Sequence, residues 1–140
     1  MRRRARECAL QILYQLDVGS YFNREAAPEG ELEAAMIRYW ESFESVSSLE
    51  RGFAERLVRG VAGEVAALDA SIAAVAQNWR VDRMDAVDRN LLRLAAYEIL
   101  RCPDVPRTVS INEAIEIAKR FSGSQAAAFI NGVLDQLVSG

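Results

Sequence analysis

Apolar side chains recur along most of this 140-residue chain with the 3.6-residue period of an α-helix, and the two-residue alternation of a strand is almost absent. Leu32, Ala35, Met36, Tyr39, Trp40 and Phe43 are separated by 3, 1, 3, 1 and 3 positions, which places them on one helical face. Ser47 and Glu50 have the spacing of a capping box and should open the next helix, which carries Phe53, Leu57, Val58 and Val61. Gly60 and Gly63 are expected to bend or end it. The alanine-rich stretch Val65–Val75 continues as helix. Asn78, Trp79, Arg80, Val81 and Asp82 then read as a break, with Asp82 positioned to cap a helix running through Val87, Leu91, Leu94 and Ile99. Pro103 and Pro106 stop that helix and impose an extended link. Two further boxes are expected, Ser110 with Glu113 and Ser122 with Gln125. They precede the stripes Ile111, Ala114, Ile115, Ala118 and Ile130, Val133, Leu134, Leu137. The pattern predicts an all-α protein of six to seven helices, with its longest loop at 19–31.

Some residues are left over once each helix has its apolar face. In the first helix Ala5, Cys8, Ala9, Ile12 and Leu16 share one side, while Leu10 and Tyr14 fall roughly opposite, with Arg3 along that second side. Two readings follow: a central helix buried on both sides, or a surface where an aromatic ring and arginines meet a partner. The second suits single-stranded RNA, because guanidinium groups pair with phosphates while rings stack on bases. In the last helix Phe129 sits on the flank of the apolar stripe, as rim packing or as a stacking platform. Gly132, after Asn131, costs a helix interior about 1 kcal/mol relative to alanine, so a close approach by a neighbour or a partner is expected there. The turn Ser122-Gly123-Ser124 is either an ordinary cap or a helix start whose free amides hold a phosphate.

Composition narrows the chemistry. The chain has no histidine, which removes the commonest general base and metal ligand and every nucleophile–histidine pair. No phosphate-binding glycine loop is present. Cys8 and Cys102 stand far apart and read as small buried hydrophobes rather than a disulfide or zinc site. No cofactor, metal or catalytic constellation is expected, so the chain reads as a non-enzyme. No apolar run is long enough to span a membrane. The segment after the leading arginines contains Glu7, Gln11, Gln15 and Asp17, too polar for a signal peptide, and a cytoplasmic location is expected. The net charge of −3 is uneven: residues 1–6 carry +4, which leaves −7 on the remainder. Residues 25–50 hold seven acids against the single base Arg38. A short basic arm on an acidic body favours a local anion contact over a broadly basic surface.

Four blocks of the sequence, in order, resemble the NusB family. They are the run Arg2-Arg3-Arg4-Ala5-Arg6-Glu7-Cys8-Ala9-Leu10-Gln11 leading to Leu13-Tyr14; Val87-Asp88-Arg89-Asn90-Leu91-Leu92-Arg93-Leu94-Ala95-Ala96-Tyr97-Glu98; Asp104-Val105-Pro106 followed by Ile111-Asn112-Glu113-Ala114-Ile115-Glu116-Ile117-Ala118-Lys119; and Phe129-Ile130-Asn131-Gly132-Val133-Leu134-Asp135. Residues 19–48 carry no recognisable family sequence. The resemblance implies one NusB-like RNA-binding domain over 1–140, built of two packed small bundles at about 1–78 and 79–140. It implies binding of boxA-type single-stranded RNA together with NusE, a small-subunit ribosomal protein. That activity supports antitermination in a complex with RNA polymerase and the transcription of ribosomal RNA. The family's arginine-rich motif matches Arg2, Arg3, Arg4 and Arg6, expected to contact phosphates and bases. Its tyrosine matches Tyr14, its acidic residue ahead of an arginine matches Asp88, expected to accept from a base edge, and its late aromatic matches Phe129, expected to stack a base.

The chain departs from the family at Ala128, where relatives can carry a base, and at the neutral turn Gly123–Gln125, where they can carry acids. Loss of the base weakens a phosphate contact and loss of the acids relieves repulsion. Two alternatives stand beside this reading. One is a NusB-like domain of a ribosomal RNA cytosine methyltransferase, for whose second domain this length leaves no room. The other is a helical interaction or self-association module, in which the arginines are a solvated tail and Tyr14 and Phe129 are packing. The resemblance also leaves open a homodimer that would cover the arginine face.

Overall fold

A computed structural model of the chain describes residues 2–23, 27–42, 46–76 and 78–139. Among these, seven α-helices form: α1 (Arg2–Val18), α2 (Glu31–Ser42), α3 (Ser48–Gly63), α4 (Val65–Val75), α5 (Ala86–Arg101), α6 (Arg107–Phe121) and α7 (Ser124–Ser139). Short 3-10 turns cover Tyr21–Asn23 and Val81–Arg83, and no strand occurs among the described residues. The all-α expectation holds. Phe43, assigned to the stripe of α2, lies outside the described residues.

Two helices organise the rest. α1 packs against α3 and α5 and more lightly against α2 and α6. It is buried on more than one side: Ala5, Cys8, Ala9, Ile12, Leu13 and Leu16 are in the core, and so are Leu10 and the polar Arg6, Glu7 and Asp17. α5 is the second hub and touches α1, α3, α4, α6 and α7. Its near-continuous buried run from Asn90 to Ala96 is what a helix covered on nearly every side requires. α7 packs mainly on α6, α5 and α4. The first and last helices are therefore held together through α5 rather than side by side.

Local chemistry explains most helix ends, and corrects three expectations. The Ser47–Glu50 box is formed, with the Ser47 hydroxyl accepting from the Glu50 amide at 3.1 Å and Glu50 accepting from the Ser47 amide at 3.3 Å. Asp82 is not the cap of α5; it lies in the 3-10 turn, and Asp85 caps the helix by accepting from the Val87 amide. The Ser110–Glu113 box does not form. α6 begins earlier, after Pro106, whose φ of −59° is already set for a helix entry. Ser110 is inside the helix, buried, and donates to Glu98 at 3.0 Å, a better partner than a solvated amide. Ser122 does not box with Gln125 either: it is the C-cap of α6, and α7 starts at Ser124.

Gly63 ends α3 as expected, while Gly60 lies inside the helix. Its role is packing. The ring of Tyr97 on α5 lies where a Cβ at Gly60 would stand, so only glycine allows the two helices to approach this closely. Both cysteines are free and buried, as expected of small hydrophobes.

A candidate nucleic-acid interface

The arginine run at the start of α1 divides by helical phase. Arg6 turns inward and is 3% exposed. Its Nε donates to both oxygens of Glu98, at 3.1 and 2.9 Å, and its Nη2 donates to Oε1 at 2.8 Å. Ser110 donates to the same carboxylate. A buried guanidinium held this way does not reach a ligand, so Arg6 is corrected from a direct RNA contact to a residue that positions α1. Arg2 and Arg3 are exposed and Arg4 half-buried. Arg2 lies over the ring of Phe53, 4.3 Å from its centroid. Arg3 forms a bidentate pair with Glu113 on α6, Nε–Oε1 2.9 Å and Nη2–Oε2 2.8 Å. That pair holds the Glu113 carboxyl below its usual range. Arg4 reaches the buried Glu7 at 3.4 Å.

Three arginines therefore stand in a first helical turn that holds no acidic residue of its own, and Glu113 and Glu7 from outside that turn pair with Arg3 and Arg4. The N-terminal end of a helix carries a partial positive charge, so like charge there is unfavourable until an anion arrives. The fold keeps that positive concentration and anchors it rigidly through Arg6.

Further along α1, Tyr14 is 39% exposed. With Leu10, Val87 and Phe121 it walls a mostly apolar groove between α1, the start of α5 and the end of α6. Asp88 lies beside it in the first turn of α5, and its Oδ1 is buried with no hydrogen-bond partner. Burial pushes the Asp88 carboxyl up, and the Ser122 hydroxyl pulls it part of the way back. An orphaned buried acceptor is costly unless something donates to it.

The Ser122–Gly123–Ser124 turn is a correction in part. The amides of Ser122 and Gly123 both donate to the carbonyl of Ala118, at 2.8 and 3.0 Å, so they terminate α6 and are not free for phosphate. Gly123 has φ +95°, a left-handed conformation that favours glycine. Phe129 is half-buried and packs against Trp79, with ring centroids 5.0 Å apart and planes 58° from parallel.

Two groups at this surface escaped the sequence reading. Arg120, in the last turn of α6, donates to the buried Glu7 at 2.8 Å while its side chain stays largely in solvent. It places a fourth guanidinium beside Arg4. A basic residue at a helix C-terminus is ordinary by itself, and only the fold reveals its neighbour. Trp79, in the break between α4 and α5, is 58% exposed and meets Phe129.

The site so far is a set of guanidinium groups, exposed aromatic rings and one unpartnered carboxylate oxygen, which defines a binding protein built from helices. Among the described residues, no group of histidine, cysteine, aspartate and glutamate is arranged to hold a metal. No helix among them is long and apolar enough to cross a membrane.

Residues 3–139 match the NusB family, and the chain belongs to it. It is 52% identical over 139 residues to a transcription antitermination protein NusB of Anaeromyxobacter dehalogenans, covering 99% of this chain and 91% of that one. Its fold matches T. maritima NusB with a TM-score of 0.82 at 34% identity, covering 99% of this chain and 91% of that one. It also matches, in fold alone, the structure of antitermination factors NusB and NusE in complex with dsRNA, with a TM-score of 0.79 at 24% identity and coverage of 99% and 98%.

Proposed function

We propose that this chain is an antitermination factor that binds boxA-type single-stranded RNA together with NusE, acting in the cytoplasm on transcription of ribosomal RNA. The observation that carries the reading is the exposed first turn of α1. Arg2, Arg3 and Arg4 are presented there on a helix whose next turns, Ala5 to Leu10, are buried and whose own dipole adds to their charge. Family membership agrees with it, and a relative 52% identical to this chain is a transcription antitermination protein.

Phosphates engage the three arginines, with Arg120 beside them. Asp88 Oδ1 accepts an amino hydrogen from a base edge, which satisfies the orphaned acceptor. Phe129 stacks a base. Ser124 and the open amides of the first turn of α7 remain available to a phosphate. Tyr14 lines the apolar groove, where a ring can meet a base or a partner side chain. The chemistry is recognition only; no bond is made or broken.

The strength expected is modest. Three phosphate contacts on single-stranded RNA give a slope of log affinity against log salt of about −2, and one stacked base adds about 1–3 kcal/mol. A factor of that strength benefits from a second protein for tight binding.

Fluorescence anisotropy of labelled boxA-type RNA against a scrambled strand, with and without NusE, tests the reading. Preference for boxA that NusE tightens, and that Phe129→Ala weakens by roughly 5- to 150-fold, is expected. Equal binding of both strands in both conditions would overturn it.

A further inference from the structure

We propose that Glu7 is a positioning residue of the RNA site, a buried carboxylate that holds Arg4 and Arg120 together as a cradle for one backbone phosphate. The inference rests on the RNA-binding reading above and adds to it the group that orders two of its cations.

Glu7 is 2% exposed and takes one guanidinium on each of its oxygens. Arg4, one turn earlier on α1, reaches Oε1 through Nη1 at 3.4 Å. Arg120, in the last turn of α6, donates from Nη1 to Oε2 at 2.8 Å. A carboxylate taken out of water needs compensating charge. Here it has two cations, one from each of two helices, and among the described residues no other acid pairs with either of them. One anion between two cations leaves a net positive charge, and the two guanidiniums repel each other until a second anion arrives.

The arrangement differs from the other two arginine pairs on α1. In Arg6–Glu98 the guanidinium is as buried as the carboxylate, which makes a structural tie. In Arg3–Glu113 both Nε and Nη2 are committed to the carboxylate, so Glu113 occupies the edge that a phosphate would use. Glu7 does neither. A guanidinium carries five N–H donors, and Arg4 and Arg120 each give Glu7 a single nitrogen. Their side chains stay 34% and 65% exposed, which leaves the rest of each fork to a phosphate. Two long side chains are pinned at one edge, and less entropy is lost when a ligand takes the other. The Arg120 guanidinium also lies 5.4 Å from the centre of the Phe121 ring, a wall of the groove beside Tyr14, so the cradle adjoins that groove.

Glu113 and Glu7 therefore act on RNA with opposite sign. Neutralising a competitor frees its arginine. Neutralising the positioning carboxylate lets its two arginines drift apart. Any acid near the path repels RNA, so its removal alone raises affinity. A fall on removal is the signature of positioning.

The test uses the full chain, NusE, and fluorescein-labelled boxA-type and scrambled RNA over a series of salt concentrations, with denaturant unfolding of each variant. Glu7→Gln keeps the size and one acceptor but turns an amide donor towards the second guanidinium. It should lower boxA affinity by up to roughly tenfold. Glu7→Asp keeps the charge and shortens the arm by one methylene, so a loss in the same range reads position alone. It carries the test where the glutamine variant does not fold. Arg120→Gln, at a largely exposed position, should lose roughly tenfold and flatten the salt slope by about 0.7. With Arg4→Gln and Arg120→Gln already in place, Glu7→Gln should no longer lower affinity, because Glu7 acts through those two residues.

Affinity that rises or stays level in the folded Glu7 variants overturns the proposal, and boxA preference in the parent then leaves the RNA reading standing. An unchanged salt slope in Arg120→Gln also overturns it. So does a full loss from Glu7→Gln in the combined background, since the effect then travels through the fold. A parent that shows no boxA preference with or without NusE removes the RNA reading, and the cradle with it.

Discussion

Arg3 and Arg6 are the same residue type, one turn apart on one helix, and the fold gives them opposite work. Arg6 is 3% exposed and locked onto Glu98 inside the protein. The Arg3 side chain is 49% exposed and pairs with Glu113 at the surface. Both hold carboxylates at 2.8 Å, so contact distance alone does not separate them. Desolvation does. In the buried pair, removing either partner strands a charge in a medium that cannot solvate it. In the exposed pair, water replaces the lost partner and the energy at stake is small. A surface pair of this kind is exchangeable: a phosphate can take Glu113's place on Arg3, whereas none can take Glu98's place on Arg6. The same helix is thus anchored by one arginine and leaves its neighbours free to make the RNA contacts proposed above.

The largest expected effect breaks the buried side. Glu98→Ala should cost about 3–5 kcal/mol of stability, a fifth or more of the roughly 5–15 kcal/mol a small domain commonly has. Denaturant unfolding would read it, and a loss within the surface range would refute the contrast. Replacing Arg6 and Glu98 together by methionine and leucine should recover most of that loss, because no charge is left uncompensated.

Next in size is the triple change Arg2→Ala, Arg3→Ala and Arg4→Ala. It should leave unfolding nearly unchanged and flatten the salt dependence of RNA binding by about two units of slope. An unaltered slope would show that these arginines are a solvated tail.

Smaller is Glu113→Gln, which releases Arg3. RNA affinity should rise, by no more than about fivefold. Its pH dependence has a definite sign. The Glu113 carboxyl is held below its ordinary value of 4.5 by the hydrogen bond from Arg3, so the pair's contribution is complete above that value. It is lost as the pH falls through the lower folded-state value. Thermal melts of wild type and Glu113→Gln should differ by a constant amount near neutrality and converge in acid.

The smallest effect concerns the neutral turn before α7. Gln125→Asp adds a negative charge beside the phosphate contact proposed at the start of α7 and should weaken RNA binding at low salt only. Equal affinities at low salt would remove that turn from the interface.

Much of this molecule was legible along the chain, and the parts that were not share a cause. Helical periodicity is local, so the stripes of α2, α3, α5, α6 and α7 could be read one at a time. Capping is also local, yet two of three expected boxes failed. Ser110 and Ser122 found partners that sequence spacing does not show, Glu98 from another helix and the end of the preceding one. Tyr14 and Phe129 were singled out because they fell off an apolar face, and both are at the surface or its edge. Trp79 and Arg120 gave no such signal: their relevance depends on Phe129 and Glu7, which are 50 and 113 residues away.

Order along the chain is enough to show that it is helical, that four arginines crowd its first six residues, that it lacks histidine, and that it resembles one family in four ordered blocks. Those properties are set by neighbours within a turn or two of helix, or by residue type alone. Packing between helices settles which arginine is buried, which carboxylate oxygen is buried without a partner, and that two aromatic rings from distant segments meet. Burial and partnership are properties of the space between helices, and the packing of α1 and α5 at the centre is what creates that space.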